Sequence, residues 1–512
     1  MVPSRPHAPT TPARTARVDA LIAVGVGVVV LAAVLFADPL LVGGALLGAG
    51  GVFLFRRQLF DWTTMLFVLT LVVMLVPIRR YALPIPVGFA LEPYRVLILG
   101  LLIALAVRLI RRGASTMRPV LWGWPIAIFL WTMFFSIMVN AVSLTESGLI
   151  EGAFSNIIQL TFLLSVVVLV RQMLTTERIT LLLLNAIVFA GAFVGLFAFV
   201  ERATRRNVFL MLQHFLPLTV LRDDAESLRA GGNRAYASSQ HPIALSVLFC
   251  LIIPLAIYLI RHSPWPKTSF SRTLVYVCAI GAMMLGMMAA VSRTGVVTLG
   301  VMFLFVLFLR PRLAGILASV AVPLVLLVGL LLPRLFESMV LSLFDIQGLI
   351  ASQMTSIGMA GQGRLADLPD ALAEFAARPF TGTGLASRVV VGDDANAQIL
   401  DNQWLGTLLE TGLVGVVGLI ALFVWPIVVM VRFVVRSGAP QHRRDLVLAI
   451  ATASAGYAVA MLFFDAFAFM QALLMLFLLY AVAAWAMTEG SSSWRPSAGA
   501  AGTVRVRAER AV

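Results

Sequence analysis

The sequence predicts an all-α polytopic membrane protein of about 14 transmembrane helices with two large extracytoplasmic loops. Three observations carry this. Charged residues make up 12% of the 512 and hydrophobic ones 60%, where soluble domains carry roughly 25% charged residues. The apolar residues fall in many separate blocks, each near the ~20 residues that cross a bilayer core as a helix. The basic residues alternate along the chain between rich and poor connections, as the positive-inside bias requires. A soluble enzyme, a disordered chain and a singly anchored protein are thereby excluded. The two cysteines, Cys250 and Cys278, both lie in apolar runs, which excludes a disulfide framework or a Cys-based metal site.

Residues 1–18 form a Pro-, Thr- and Arg-rich tail expected in the cytoplasm. The run after it reads as an uncleaved first span. Asp38-Pro39 turns into a second apolar run, and no small-x-small cleavage site stands out. Helices 1–7 are expected within 19–200, at 19–37, 40–55, 62–78, 93–110, 120–140, 155–171 and 179–200. A first extracytoplasmic loop follows at 201–240. Helices 8–11 fall within 241–333, at 241–260, 273–291, 295–309 and 313–333. A long extracytoplasmic loop covers 334–401. Helices 12–14 fall within 402–487, at 402–431, 446–464 and 466–487, and the tail 488–512 is Ser-, Gly-, Ala- and Arg-rich.

Orientation follows from charge. With the N-terminus inside, 24 of the 38 basic residues fall on the cytoplasmic side, and every inside segment holds at least two. The short outside connections near 38, 141–154 and 465 hold none. Both termini are therefore expected in the cytoplasm. The net charge of +14 is read as loop orientation and not as nucleic-acid binding.

Fourteen arginines break the rule. They cluster at Arg79-Arg80, in 201–240 (including Arg229 and Arg234), at Arg293 and in 334–401 (including Arg364). Long loops cross a membrane regardless of charge. The alternative is a basic outer face that binds an anion, since the arginine fork matches phosphate. Arg293 is the sharper case. It stands between two apolar spans with almost no loop, flanked by Ser292 and Thr294. It either snorkels to the headgroups or completes an anion site at a helix N-terminus capped by Ser292 or Thr294.

In the long loop, Leu335, Phe336, Met339, Val340, Leu343 and Phe344 recur at helical spacing, as in a helix lying on the outer leaflet. A second short helix is expected from Leu368-Pro369 to Arg378. The turn after it, Pro379-Phe380-Thr381-Gly382-Thr383-Gly384, is either a plain loop or a presenter of backbone N–H groups. Glu410, two turns into span twelve, reads as a structural partner for an arginine.

Four pieces of sequence then come together in order. The first is Arg234, followed by Gln240-His241-Pro242-Ile243-Ala244-Leu245 opening a span. The second is Ser292-Arg293-Thr294-Gly295. The third is Arg364 with Ala371-Leu372, then Arg378-Pro379-Phe380-Thr381-Gly382-Thr383-Gly384-Leu385. The fourth is Asp401-Asn402-Gln403-Trp404-Leu405, then Glu410-Thr411-Gly412-Leu413-Val414-Gly415. Together they resemble the O-antigen ligase and O-antigen polymerase superfamily of lipid-linked glycan enzymes. The first 200 residues match only as apolar spans. Two positions depart from the family pattern: Asp401 stands where ligases often have histidine, and Ile243 where asparagine is common.

The resemblance implies the O-antigen ligase fold and glycosyl transfer from a polyprenyl-diphosphate-linked oligosaccharide. The acceptor is a lipid-linked unit for a polymerase, or another cell-envelope anchor for a ligase. It implies no cofactor and no metal. Arg234, Arg293, Arg364 and Arg229 hold the diphosphate, where negative charge grows in the transition state. Asp401 is the implied base, or else a helix cap with Asn402, and His241 is the alternative base. Gly382 and Gly384 form the turn, with Asn402 and Glu410 in support. Membrane lipids surround the protein, and a flippase and a chain-length regulator are its implied companions. A polysaccharide or lipid-carrier transporter is the competing class. It predicts internal repeats and mid-membrane charges, whereas most charges here lie at span ends or in outside loops.

Overall fold

The computed structural model describes residues 61–84, 90–112, 117–221, 228–229, 232–354, 368–388 and 402–489. The chain packs as two units, residues 1–65 and 66–512. Of the first, only 61–65 are described, at the start of helix α1 (Trp62–Leu75).

In lipid a backbone must satisfy its own N–H and C=O groups, so apolar runs become helices. Each apolar segment from 62–78 onward does so. After α1 come α2 (Pro93–Arg112), α3 (Gly123–Val139), the short α4 (Ala141–Glu146), α5 (Ile150–Met173) and α6 (Glu177–Thr204). Next are α7 (Pro242–His262), α8 (Ser269–Ala290), α9 (Arg293–Leu309) and α10 (Pro311–Leu331). The segments 19–37 and 40–55 lie outside the described residues.

The expected interfacial stretch 334–350 is broken into α11 (Pro333–Met339), a 3-10 turn Leu341–Leu343 and α12 (Ile346–Met354). The second short helix is α13 (Leu368–Ala377). Span twelve runs as α14 (Gln403–Leu419), one π turn and α15 (Trp425–Arg436). It is followed by α16 (Gln441–Ala460) and α17 (Met470–Thr488).

Eight helical segments are long and apolar enough to cross a membrane: α2, α5, α6, α7, α8, α10, the α14–α15 run and α17. Helices α1, α3 and α9 are apolar but shorter. The chain is a multi-pass, all-α membrane protein. Among the described residues eight segments meet both length and composition.

Local chemistry sets the helix starts. Thr176 caps α6 by accepting the Ile179 N–H at 3.3 Å, and Thr268 caps α8 by accepting that of Ser271 at 3.2 Å. Pro242 occupies the first turn of α7, where a missing N–H costs nothing. Helices α7 and α17 are buried along nearly their whole length and form the core. Helix α6 packs on α8, α7 on α8 and α16, α17 on α5, and α14 on α3. Helices α6 and α8 approach backbone to backbone. A Cβ on Gly286 would lie 2.6 Å from the Cα of Gly195, so both positions need glycine for this contact.

The helices of the second unit run back and forth, so their ends gather in two groups. At one end Arg118 pairs with Glu489 at 2.8 Å, and Arg171 donates to Thr488 at 2.9 Å. His262 meets Asp445 at 3.2 Å, and Arg443 donates to the Ala486 carbonyl at 2.6 Å. The other end collects the described parts of the four sequence motifs. There β1 (Tyr81–Ala82) pairs antiparallel with β2 (Thr219–Val220), tying the link after α1 to the segment after α6.

Candidate functional site

The turn between α8 and α9 is strained. Val291, a β-branched residue, ends α8 in the left-handed region at φ 46°. Ser292 then takes the extended N-cap position of α9, but its side chain makes no capping bond. Its hydroxyl is buried without a hydrogen-bond partner, and the residue is 1% exposed. The expected cap by Ser292 or Thr294 is therefore not made: Ser292 points elsewhere, and Thr294 is already inside the helix. Arg293 is the first helical residue, partly buried, with Nε donating weakly to the Ser338 carbonyl at 3.4 Å. Gly295 lets α9 lie close on α7, since a Cβ there would sit 2.9 Å from Ser246 Cβ.

The segment before α7 docks on this turn. Arg234 Nε donates to the Ala290 carbonyl at 3.1 Å, and the Ala235 N–H to the Ala289 carbonyl at 3.1 Å. Arg229 lies on β3 (Leu228–Arg229), paired antiparallel with β4 (Gly232–Asn233). The buried Glu201 carboxylate accepts the N–H groups of Tyr236 and Ala237 at 3.3 and 2.8 Å. Arg80 reaches the Tyr236 hydroxyl at 3.3 Å. Thus Arg80, Arg234 and Arg293, which all break the charge rule, are hydrogen-bonded at this end.

His241 is the N-cap of α7. Its Nδ1 accepts the Ile243 N–H at 3.2 Å, and its ring stacks on Phe469 with centroids 5.5 Å apart. An accepting Nδ1 puts the proton of the neutral ring on Nε2. In this arrangement Nε2 is a donor, and base chemistry there requires a tautomer exchange that gives up the cap.

The Gly-rich turn is locked into a broken helix. Gly412, at φ 66° and ψ −165°, interrupts α14. The carbonyls this exposes accept from the turn: Leu409 from Thr383 N–H at 3.0 Å, and Glu410 from Gly384 N–H at 2.7 Å. In return the Pro379 and Phe380 carbonyls accept the N–H groups of Leu413 and Val414 at 2.9 and 3.2 Å. Gly382 and Gly384 both have positive φ, as the turn requires. The Glu410 carboxylate accepts the backbone N–H groups of Ala386 and Arg388, with the Arg388 charge near. Glu410 is therefore mainly a binder of the turn's backbone, which sharpens its expected role as an arginine partner. On the facing side, Asn140 donates to the Thr381 carbonyl at 3.3 Å and accepts from Arg378 at 3.4 Å.

The loop 461–469, between α16 and α17, joins the two halves. Asn402 caps α14 by accepting the Leu405 N–H at 3.1 Å. Gln403 donates its N–H to the carbonyls of Met461 and Phe464, at 2.9 and 3.2 Å. Its side-chain oxygen accepts the Phe467 N–H at 3.0 Å. The same loop supplies Phe469 to His241. Sequence reasoning passed over this loop, and over Gln471, which donates to the Val73 and Met74 carbonyls and accepts from Ser239. Its signal was present as a lone amide in an apolar run. Arg364 and Asp401 lie outside the described residues.

No curated protein matches the chain. Residues 275–420 match the family model described as O-antigen ligase. That stretch, which holds the Ser292–Gly295 turn, the Gly-rich turn and the helix break at Gly412, is thus similar to the O-antigen ligase family.

Proposed function

We propose that the protein is a membrane glycosyltransferase that polymerises surface or exopolysaccharide repeat units carried on a polyprenyl diphosphate. The reaction is a metal-independent, inverting displacement at the outer face of the plasma membrane. One observation carries this reading: inside the family-matched stretch, α9 begins with a buried, unpartnered Ser292 hydroxyl next to Arg293. A helix N-terminus with a free hydroxyl and an arginine fits a phosphate oxygen.

In the proposed step the acceptor hydroxyl attacks the anomeric carbon. The bond from that carbon to the diphosphate oxygen breaks, and the diphosphate leaves with the electron pair. Arg293 and Arg234, together with Arg229 and Arg364, offset the charge that grows there. Asp401, next in sequence to the cap residue Asn402, takes the hydroxyl proton, and His241 is the alternative.

Ligation to a different cell-envelope acceptor is the second reading, favoured by the description of the matched family. Purified protein supplied with a lipid-linked oligosaccharide decides between them. Chains of increasing length on the carrier support polymerisation. A single transfer to an added envelope acceptor supports ligation. Failure to release polyprenyl diphosphate in either assay, with the intact lipid-linked glycan moved across a sealed vesicle instead, rejects both in favour of transport.

A further inference from the structure

At the end opposite the α8–α9 turn, a cavity of about 530 Å³ opens between α7, α9, α10 and α16. That volume lies in the ~300–1,000 Å³ range of sites that enclose a small ligand or part of a larger one. Its deep wall is apolar, built by Ile253, Leu299, Met302, Phe303, Val306 and Ile316. Its mouth carries Arg261, Arg310 and Arg312. Asp445 is also there, but it is engaged by His262 at 3.2 Å and by Gln441 at 2.6 Å. Even with Asp445 counted as fully charged, the mouth is cationic.

Arg310 is the informative residue. It stands at the junction of α9 and α10, its backbone N–H satisfied by Val306 at 2.7 Å. One of its guanidinium nitrogens is buried and has no hydrogen-bond partner. A buried N–H donor without a partner carries a desolvation cost, which an anion placed in the mouth removes. An apolar slot between helices ending in unpaired arginine donors is the arrangement that takes a lipid by both tail and headgroup.

We propose that this cavity binds an anionic phospholipid, with an acyl chain along the apolar wall and the headgroup phosphate at Arg310 and Arg312. The site is separate from the one proposed for glycan transfer and does not depend on it. Charge complementarity selects the anionic lipid over a zwitterionic one, whose ammonium would face the same arginines.

Native mass spectrometry of the full-length protein tests this, with phosphatidylglycerol and phosphatidylcholine of equal chain length competing in mixed micelles. The parent should retain phosphatidylglycerol in preference by about ten-fold or more. Arg310→Gln with Arg312→Gln should abolish the preference. Arg432→Gln with Arg436→Gln, two exposed residues of α15 at the same end, should leave it intact. Ile316→Trp, which fills the slot without changing charge, should displace the lipid, and it keeps the proposal testable if the arginine pair fails to fold. Equal retention of the two lipids by the parent overturns the proposal, and so does an equal loss in the α15 pair. Displacement of the lipid by millimolar inorganic phosphate would mean a simple anion site and overturns it as well.

Discussion

Gly384 donates its backbone N–H to the carbonyl of Glu410 at 2.7 Å, across the break in α14. The bond exists because Gly412 interrupts the helix and leaves that carbonyl without its helical donor. Two glycines make the interlock possible: a Cβ on Gly412 would overlap the Phe380 carbonyl, and one on Gly382 would overlap that of Glu410. Gly412→Ala and Gly382→Ala should each cost about 3 kcal/mol or more, because backbone strain and a backbone clash coincide. Thermal melting in detergent checks this. Gly406→Ala on the same helix meets nothing within 4 Å and should melt like the parent. An unchanged melting temperature for Gly412→Ala would remove the interlock from the account of stability.

The second prediction turns on a buried hydroxyl. Ser292 has no hydrogen-bond partner, so Ser292→Ala relieves an unsatisfied group and should leave stability unchanged or raise it by about 1 kcal/mol. If the hydroxyl meets a diphosphate oxygen, the same variant should lose about ten-fold in transfer rate. Stability and activity then move in opposite directions, which a purely structural role does not produce. Parental turnover in the alanine variant would show that Ser292 does not meet the substrate.

How far the sequence reveals this arrangement differs between helices and connections. The apolar segments from 62–78 onward could be read because lipid leaves a backbone no alternative to helix. The end of α13 could be read from Arg378-Pro379. The break at Gly412 could not, because a glycine within an apolar helix is common in membranes and nothing local shows that a turn some thirty residues earlier supplies the missing bonds. Ser292 read as a cap for a good local reason, serine before a helix. The strained Val291 is a tertiary feature and changes where that side chain goes. The joining role of 461–469 depends on contacts to residues far away in sequence, Gln403 and His241, so no motif marked it.

A pH effect is expected from Glu92. It is 3% exposed, accepts the Arg79 N–H, and pairs with Arg95 at 3.1 Å. Burial nevertheless outweighs these partners and holds its carboxyl above the ordinary value of 4.5. The folded state therefore binds the proton more tightly than the unfolded one. The stability this confers is present below the unfolded value and is lost as pH rises through the folded one. Glu92→Gln cannot ionise. The melting temperature of the parent relative to this variant should fall as the pH is raised above the ordinary value of 4.5. A relative rise over that range would mean that the Arg95 pair outweighs burial.

Arg293 separates two kinds of basic residue. A snorkelling arginine needs only its charge, and lysine replaces it. An arginine holding two phosphate oxygens needs the planar fork, which lysine lacks. Arg293→Lys should therefore lose nearly as much transfer activity as Arg293→Ala, about 10²-fold, with both variants folded. Its one described hydrogen bond, to Ser338 at 3.4 Å, is long, so little stability rests on it. A fully active lysine variant expressed at the parental level would rule out the two-pronged contact.

The last prediction concerns the base. Asp401 precedes Asn402, whose side chain already accepts the Leu405 N–H and caps α14. The capping role weighed for Asp401 is thus filled by its neighbour. The alternative base, His241, is committed at Nδ1 to the Ile243 N–H, which makes its other ring nitrogen a donor when neutral. Between the two, an ionised carboxylate accepts a proton without any change of tautomer, whereas the histidine needs one. Asp401→Asn keeps the shape but removes the basic site. It should lower the transfer rate about 10²-fold or more and leave donor binding near the parental level. Asp401→His should recover part of the activity, since imidazole can take the same proton. His241→Gln gives the opposite control: an amide oxygen can still accept the Ile243 N–H, so turnover should stay within about ten-fold of the parent. Rates measured with purified protein and a lipid-linked donor decide the matter. Parental turnover for Asp401→Asn together with a collapse for His241→Gln would move the base to the histidine.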